Sequence, residues 1–206
     1  YPLRNRLLEP DTTRGLSIQQ LDQMLEEQVV VMIRGLAQEA QKQPGIPAVL
    51  MGHFSVQDAQ WGSERSVMLG RDAVIAKSIL ADPTWDYVAL GHIHKHQSLN
   101  GDRHPPIVYC GSMERIDFGE EKEDKGWVIA DIEKGRTTWQ FVPHYKRPAR
   151  PFHTLQIDAR EATDPTETAL ASIQRHDLRG AVVRLILRLR AEQEPLLRER
   201  DLRAAL

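Results

Sequence analysis

Eight histidines occur in the chain, and three of them stand where their side chains could share chemistry. Met51-Gly52-His53 and Leu90-Gly91-His92-Ile93-His94 each put a Gly-His directly after a short apolar run. In open α/β sheets, functional groups collect where strands leave the sheet at their carboxyl ends. Glycine at such an exit lets the backbone turn sharply and lets an ion or a phosphate come close. His92 and His94 are two residues apart, so in extended chain both imidazoles lie on one side. Imidazole suits first-row transition metals. Two-metal hydrolases keep their ions about 3.5–4 Å apart, a span that a His-x-His pair at a strand end can reach. A lone histidine after a strand is ordinarily hydrogen-bonded or solvated. The repetition of Gly-His at two strand exits turns the reading toward a metal site at His53, His92 and His94.

Other reactive side chains carry less. His96 lies outside the pattern and is expected to face solvent, and His104, before Pro105-Pro106, reads as a loop residue. Cys110 reads as a buried thiol on a strand. Gly111-Ser112 could offer hydroxyl and amide donors to a phosphate, or be an ordinary turn. From Lys134 to Ile157 there are five lysines or arginines and no acid, which suits either a DNA backbone or a solvated linker.

The elements that must hold these residues can be read from spacing. Ser17-Ile18-Gln19-Gln20 has the form of a capping box. Leu21, Leu25, Val29, Met32, Ile33 and Leu36 then recur as one face of a helix that Pro44-Gly45 stops near Lys42. Residues 48–51 and 87–90 are short apolar runs that suit buried strands. Between them an edge strand around 66–69 and a short helix before Asp82-Pro83 are expected. Asn100-Gly101 signals a hairpin leading to a strand at 107–109. A second hairpin joins 126–131 to 137–142. Residues 143–151, with three prolines and several cations, read as a linker. Beyond it come a strand at 154–157, a helix at 165–175, a strand at 181–189 and a helix from about Glu194. Arg184, Arg188 and Arg190 fall on the polar side of the third of these and could touch phosphates.

A length of 206 residues allows one domain or one and a half, taking roughly 150 residues per domain. Hydrophobic residues at 41% and charged residues at 27% describe an ordinary globular chain. The net charge of −2 does not announce a nucleic-acid binder, nor does it exclude one, since distribution outweighs the sum. One cysteine excludes an internal disulfide and fits a reducing, cytoplasmic setting. No apolar run approaches the ~18 residues of a membrane helix.

Asp86-Tyr87-Val88-Ala89-Leu90-Gly91-His92-Ile93-His94-Lys95 resembles the Gly-His-x-His motif of the calcineurin-like metallophosphoesterases, in the form found in SbcD-type DNA-repair nucleases. Residues 109–120, opening Tyr109-Cys110-Gly111-Ser112, resemble the Tyr-x-Gly-Ser segment that follows it there, and Gly52-His53 matches the preceding single-histidine motif. The resemblance implies an α/β fold: the C-terminal part of a two-sheet metallophosphoesterase sandwich over 1–148, then a small, incomplete α/β cap over 149–206. It implies two Mn²⁺ ions, with His53 and His92 on one and His94 on the other. It makes Lys95, Ser112 and Arg115 candidates for DNA contact. It implies cleavage of DNA ends alongside an SbcC-type ATPase subunit, in a homodimer.

The family's Asp-x-His, Gly-Asp-x-x-Asp and Gly-Asn-His motifs have no counterpart upstream of Gly52. Their catalytic residues are therefore unassigned in this chain. Tyr1 to Pro10 read as a mid-chain connection, so the expectation is that an N-terminal half is missing and that this piece alone is inactive. Two rival readings stay open. One is a phosphoesterase acting on non-DNA substrates, against which the Tyr-Cys-Gly-Ser segment and the cap-like tail argue. The other is a non-catalytic DNA-binding or scaffold fragment.

Overall fold

The long amphipathic segment is a helix, α1 (Ile18–Gln41), that starts on the expected capping box. The Gln20 amide donates to Ser17 Oγ at 3.3 Å and the Ser17 amide donates to Gln20 Oε1 at 2.8 Å. Two amides that the first turn leaves over are thereby satisfied. Leu25, Val29, Ile33 and Ala37 form its buried stripe. The structure, a computed structural model, describes residues 7–8, 13–62, 73–144 and 149–206. The edge strand expected around 66–69 lies outside the described residues. The chain divides into two compact units, one of residues 1–113 and 123–147, the other of 114–122 and 148–206.

In the first unit, β1 (Val49–His53), β4 (Tyr87–Gly91) and β6 (Ile107–Tyr109) run parallel, and β5 (Gln97–Ser98) is antiparallel to β6, giving the order β1-β4-β6-β5. A short parallel pair, β2 (Ser55–Val56) and β3 (Val74–Ile75), and the helix α2 (Lys77–Leu80) fill the connection from β1 to β4. Leu50, Val88, Leu90, Ile107 and Tyr109 share one core with the buried stripe of α1. Leu50 of β1 is buried, whereas Val49 and Met51 are 42% and 80% exposed. The run read as a fully buried strand is thus covered on one side only among the described residues. Asn100-Gly101 makes no two-residue turn. Pro105 and Pro106 have no amide to donate, so the ladder opens only where Leu99 meets Ile107, at 2.8 Å.

The hairpin of β7 (Gly126–Glu133) and β8 (Arg136–Pro143) is fastened to this sheet by one carboxylate. Asp86, at the amino end of β4, has a side chain 1% exposed. It accepts from the Ala48 amide at 2.7 Å, the Gly135 amide at 2.6 Å and Lys134 Nζ at 3.0 Å. Thr137 Oγ1 donates to the Asp86 carbonyl at 2.7 Å. Burial pushes the Asp86 carboxyl up, but the Gly135 and Ala48 amides and the Lys134 ammonium outweigh it and hold it below its ordinary value.

The second unit pairs β9 (Phe152–Asp158) in parallel with β10 (Val182–Arg188) through α3 (Pro165–Ile173). Leu155, Ile157, Ala169, Ile173 and Leu202 are its buried core, with Val183, Leu185 and Leu187 packed against them. Asp164 caps α3, accepting from the Thr166 and Glu167 amides at 2.9 and 3.1 Å. The helix expected from Glu194 is broken by Pro195 into a 3-10 turn (Ala191–Leu196) and a short α4 (Glu199–Ala205). The segment 114–122 is built into this unit: Arg115 donates to the carbonyls of Glu120, Ala149 and Arg150, and Glu121 accepts from the Thr154 amide. Hence residues 149–151, expected within a linker, are held, with Ala149 buried.

Candidate metal centre

Because β1 and β4 are parallel neighbours in the register His53↔Gly91, both strands leave the sheet at one edge. His53 lies beside Gly91, and His92 follows one residue on. Their ring centroids are 5.2 Å apart with planes at 60°. Gly91 leaves room for this: a Cβ there would stand 2.9 Å from His53 Nδ1, so a larger residue would push the ring aside. Gly52 makes room for the Phe54 ring in the same way. Neither glycine takes a positive φ; that conformation falls on His92 itself, at φ 95. The glycines thus clear space, and the sharp turn expected of them is made by a histidine. A non-glycine residue in this region costs on the order of 1–2 kcal/mol and is found where the surroundings over-determine it.

His94 is held by its backbone. Its carbonyl accepts from the Ser112 amide at 2.9 Å and from Lys125 Nζ at 3.2 Å. The Lys125 side chain is 1% exposed and pairs with Glu123 at 2.9 Å. Gly111 adopts φ +85, and a Cβ on it would meet the His94 carbonyl at 2.8 Å and the His96 amide at 2.9 Å. The Ser112 amide is therefore engaged by the His94 carbonyl. Lys125 and Glu123 gave no signal in the sequence, since a lysine in a charged loop defaults to a solvated one. Among the described residues, no group of three or more His, Cys, Asp or Glu side chains is arranged to hold a metal ion. The structure brings the His53 and His92 rings together and does not add His94 to them as a third side chain.

His96 is half-buried. Its ring stacks on Phe141 at 4.1 Å and its Nδ1 lies 2.9 Å from the Tyr109 carbonyl. The imidazole face supplies area to cover the hairpin that Asp86 fastens. Lys95 Nζ donates to Gln60 Oε1 at 2.8 Å. Trp61 stands edge-on to His92, with centroids 5.9 Å apart and planes at 84°. Sequence reasoning passed over both Gln60 and Trp61, whose place depends on a chain reversal after β2. Arg115, the third DNA candidate, belongs to the second unit and donates to three carbonyls there. Arg184 lies 4.5 Å above the Phe118 ring and bonds Thr154, and Arg190 pairs with Glu161.

No family model matches the chain. The SbcD component of the SbcCD nuclease of Rhodobacter capsulatus is 28% identical over 132 residues, which is 63% of this chain and 30% of that protein. The similarity is to a subunit of a nuclease, and it comes to this chain only as a likeness. The chain spans about 30% of the length of this SbcD relative. No helix among the described residues is long and apolar enough to cross a membrane.

Proposed function

We propose that these residues are part of an SbcD-type, Mn²⁺-dependent nuclease that hydrolyses phosphodiester bonds at DNA ends, as exonuclease or endonuclease, in double-strand break repair. The observation that carries the reading is the pair of parallel strands whose adjacent exits bring His53 and His92 ring to ring at 5.2 Å. Two imidazoles, a glycine that clears room for one and a left-handed backbone under the other suit one side of a two-ion site. In that site His53 and His92 hold one Mn²⁺ and His94 helps to hold the second. When bound, such ions supply a water acidic enough to attack phosphorus near neutral pH. The chain's own residues orient and brace: Ser112 and Lys125 fix the His94 backbone, and Gly91 leaves room for the His53 ring. In this reading the four-stranded sheet and the β7–β8 hairpin belong to the two layers of a metallophosphoesterase sandwich. Residues 149–206, with 114–122, form the cap. The partners are DNA, an SbcC-type ATPase subunit and a second copy, in the cytoplasm.

The 206-residue chain alone is expected to be inactive, because three histidines without a bridging carboxylate do not anchor two ions. Each tenfold loss in rate is ~1.4 kcal/mol of barrier, and losing one ion removes several such factors. The test is a timed digest of end-labelled linear DNA with Mn²⁺, using this chain and one extended upstream. Cleavage by the extended chain alone, abolished by His92→Ala, is the expected result. Cleavage by the short chain that His92→Ala abolishes would refute the account of missing ligands, and none by either would sink the nuclease reading. A scaffold or DNA-binding fragment is the second reading, favoured for the chain by itself by the absent upstream motifs. Against direct DNA contact, Lys95, Arg115, Arg184 and Arg190 already bond within the protein.

A further inference from the structure

We infer that Gln97 and Lys95 clasp the Gln60–Trp61 loop so that the Trp61 indole fixes the orientation of the His92 imidazole. The inference rests on the reading of His92 as a metal ligand, and it makes Trp61 a positioning residue that acts through it. Four observations converge. The Gln97 side chain brackets the Gln60 backbone: its oxygen accepts the Gln60 amide at 2.7 Å and its nitrogen donates to the Gln60 carbonyl at 2.8 Å. A side chain of β5 thus supplies both halves of a strand-like bridge to the Gln60 backbone. Lys95 adds a third bond, to Gln60 Oε1 at 2.8 Å. Both clasping residues follow closely on His92 and His94, so the clasp ties the histidine loop to the Trp61 loop. Asp58, at φ 67, turns the chain back after β2 and sets the loop on course.

The next residue after the bracketed Gln60 is Trp61, half-buried against the main core and edge-on to His92 at 5.9 Å. On another side of His92 stands His53, 5.2 Å away at 60°. His92 follows directly on β4 with a left-handed backbone, and two rings flank its imidazole. A ligand held by packing loses less rotamer freedom when an ion binds, and outer partners of metal-binding histidines typically contribute 10–100-fold in affinity.

Three variants of the upstream-extended chain, which is the parent here, test this: Gln97→Ala, Trp61→Ala and Trp61→Phe, with the backbone amide spectrum as the check on folding. The first readout needs no metal: the nuclear Overhauser contact between the Trp61 indole and the His92 ring. It should be present in the parent and lost in Gln97→Ala. The second is the dissociation constant for Co²⁺, used as a spectroscopic stand-in for Mn²⁺. Trp61→Ala should weaken it by roughly tenfold, and Trp61→Phe, which keeps a ring, should recover most of the loss. An undiminished Trp61–His92 contact in Gln97→Ala, or an unchanged Co²⁺ constant in Trp61→Ala, overturns the inference. If the parent binds no Co²⁺ yet loses the ring contact in Gln97→Ala, the clasp stands and the metal reading fails.

Discussion

Removing the Asp86 carboxylate should cost the first unit about 3–4 kcal/mol, and the number follows from its partners. Asp86→Ala strips the acceptor from the Ala48 and Gly135 amides and from Lys134. A buried donor left without its partner costs ~1–3 kcal/mol. Taking both amides near ~1.5 kcal/mol gives about 3. Lys134 keeps 37% of its side chain in water, so its ion pair adds under ~1 kcal/mol. For a domain holding ~5–15 kcal/mol this is a large fraction. Urea unfolding followed by tryptophan fluorescence reads it as a midpoint lower by about 2 M, for a slope of ~1.5–2 kcal/mol per M. Asp86→Asn keeps one acceptor but turns an NH₂ toward a donor, so it should retain less than half of the contribution. The pH dependence has a fixed sign. The folded carboxyl lies below its ordinary 3.8, so its contribution is complete above that range and fades as pH falls through the folded value. The deficit of Asp86→Asn should therefore be constant above about pH 5 and shrink below about pH 4. A loss under ~1 kcal/mol in Asp86→Ala, or a deficit that grows on acidification, would refute the reasoning.

Three other outcomes follow from the same kind of accounting. Gly111→Ala should lose more than ~2 kcal/mol, from the left-handed backbone and from a Cβ pressed on the His94 carbonyl; thermal unfolding checks it, and a neutral result would show that the loop can shift. Lys125→Met should cost about 2 kcal/mol, because Glu123 and the His94 carbonyl lose a buried donor. It should also weaken any divalent-ion binding measured by calorimetry. Arg115→Ala should destabilise the second unit by about 1–2 kcal/mol, since the part-buried carbonyls of Glu120 and Ala149 lose their donor while the exposed Arg150 carbonyl turns to water, seen as early proteolysis of residues 149–206. If it instead weakens DNA affinity with the unfolding transition unmoved, Arg115 is a DNA contact.

What the sequence disclosed and what it hid divide along physical lines. The α1 start was legible because a capping box is a local exchange of bonds over four residues. The His53–His92 meeting was legible because two similar strand ends point to one edge if the strands are parallel neighbours. The purpose of Gly91 was not, since the ring it makes room for comes from a residue 38 positions earlier. Asp86 read as the residue before a strand, although it joins three segments, because none of its donors is local. The same holds for Lys125, Trp61 and the capture of residues 114–122 by the second unit. Stacking of His96 on Phe141 was missed because side-chain periodicity says nothing about a loop histidine.

The left-handed backbone at His92 sets two pressures against each other at one codon. Glycine would relax the chain there and recover on the order of 1 kcal/mol, so drift toward a more stable protein runs through loss of the imidazole. Selection on stability alone would let that change accumulate. A histidine kept in this conformation is therefore retained against a thermodynamic gradient. Under the metal reading proposed above, glycine at the equivalent place in a relative would mark a lineage in which the site has fallen silent while the fold gained stability.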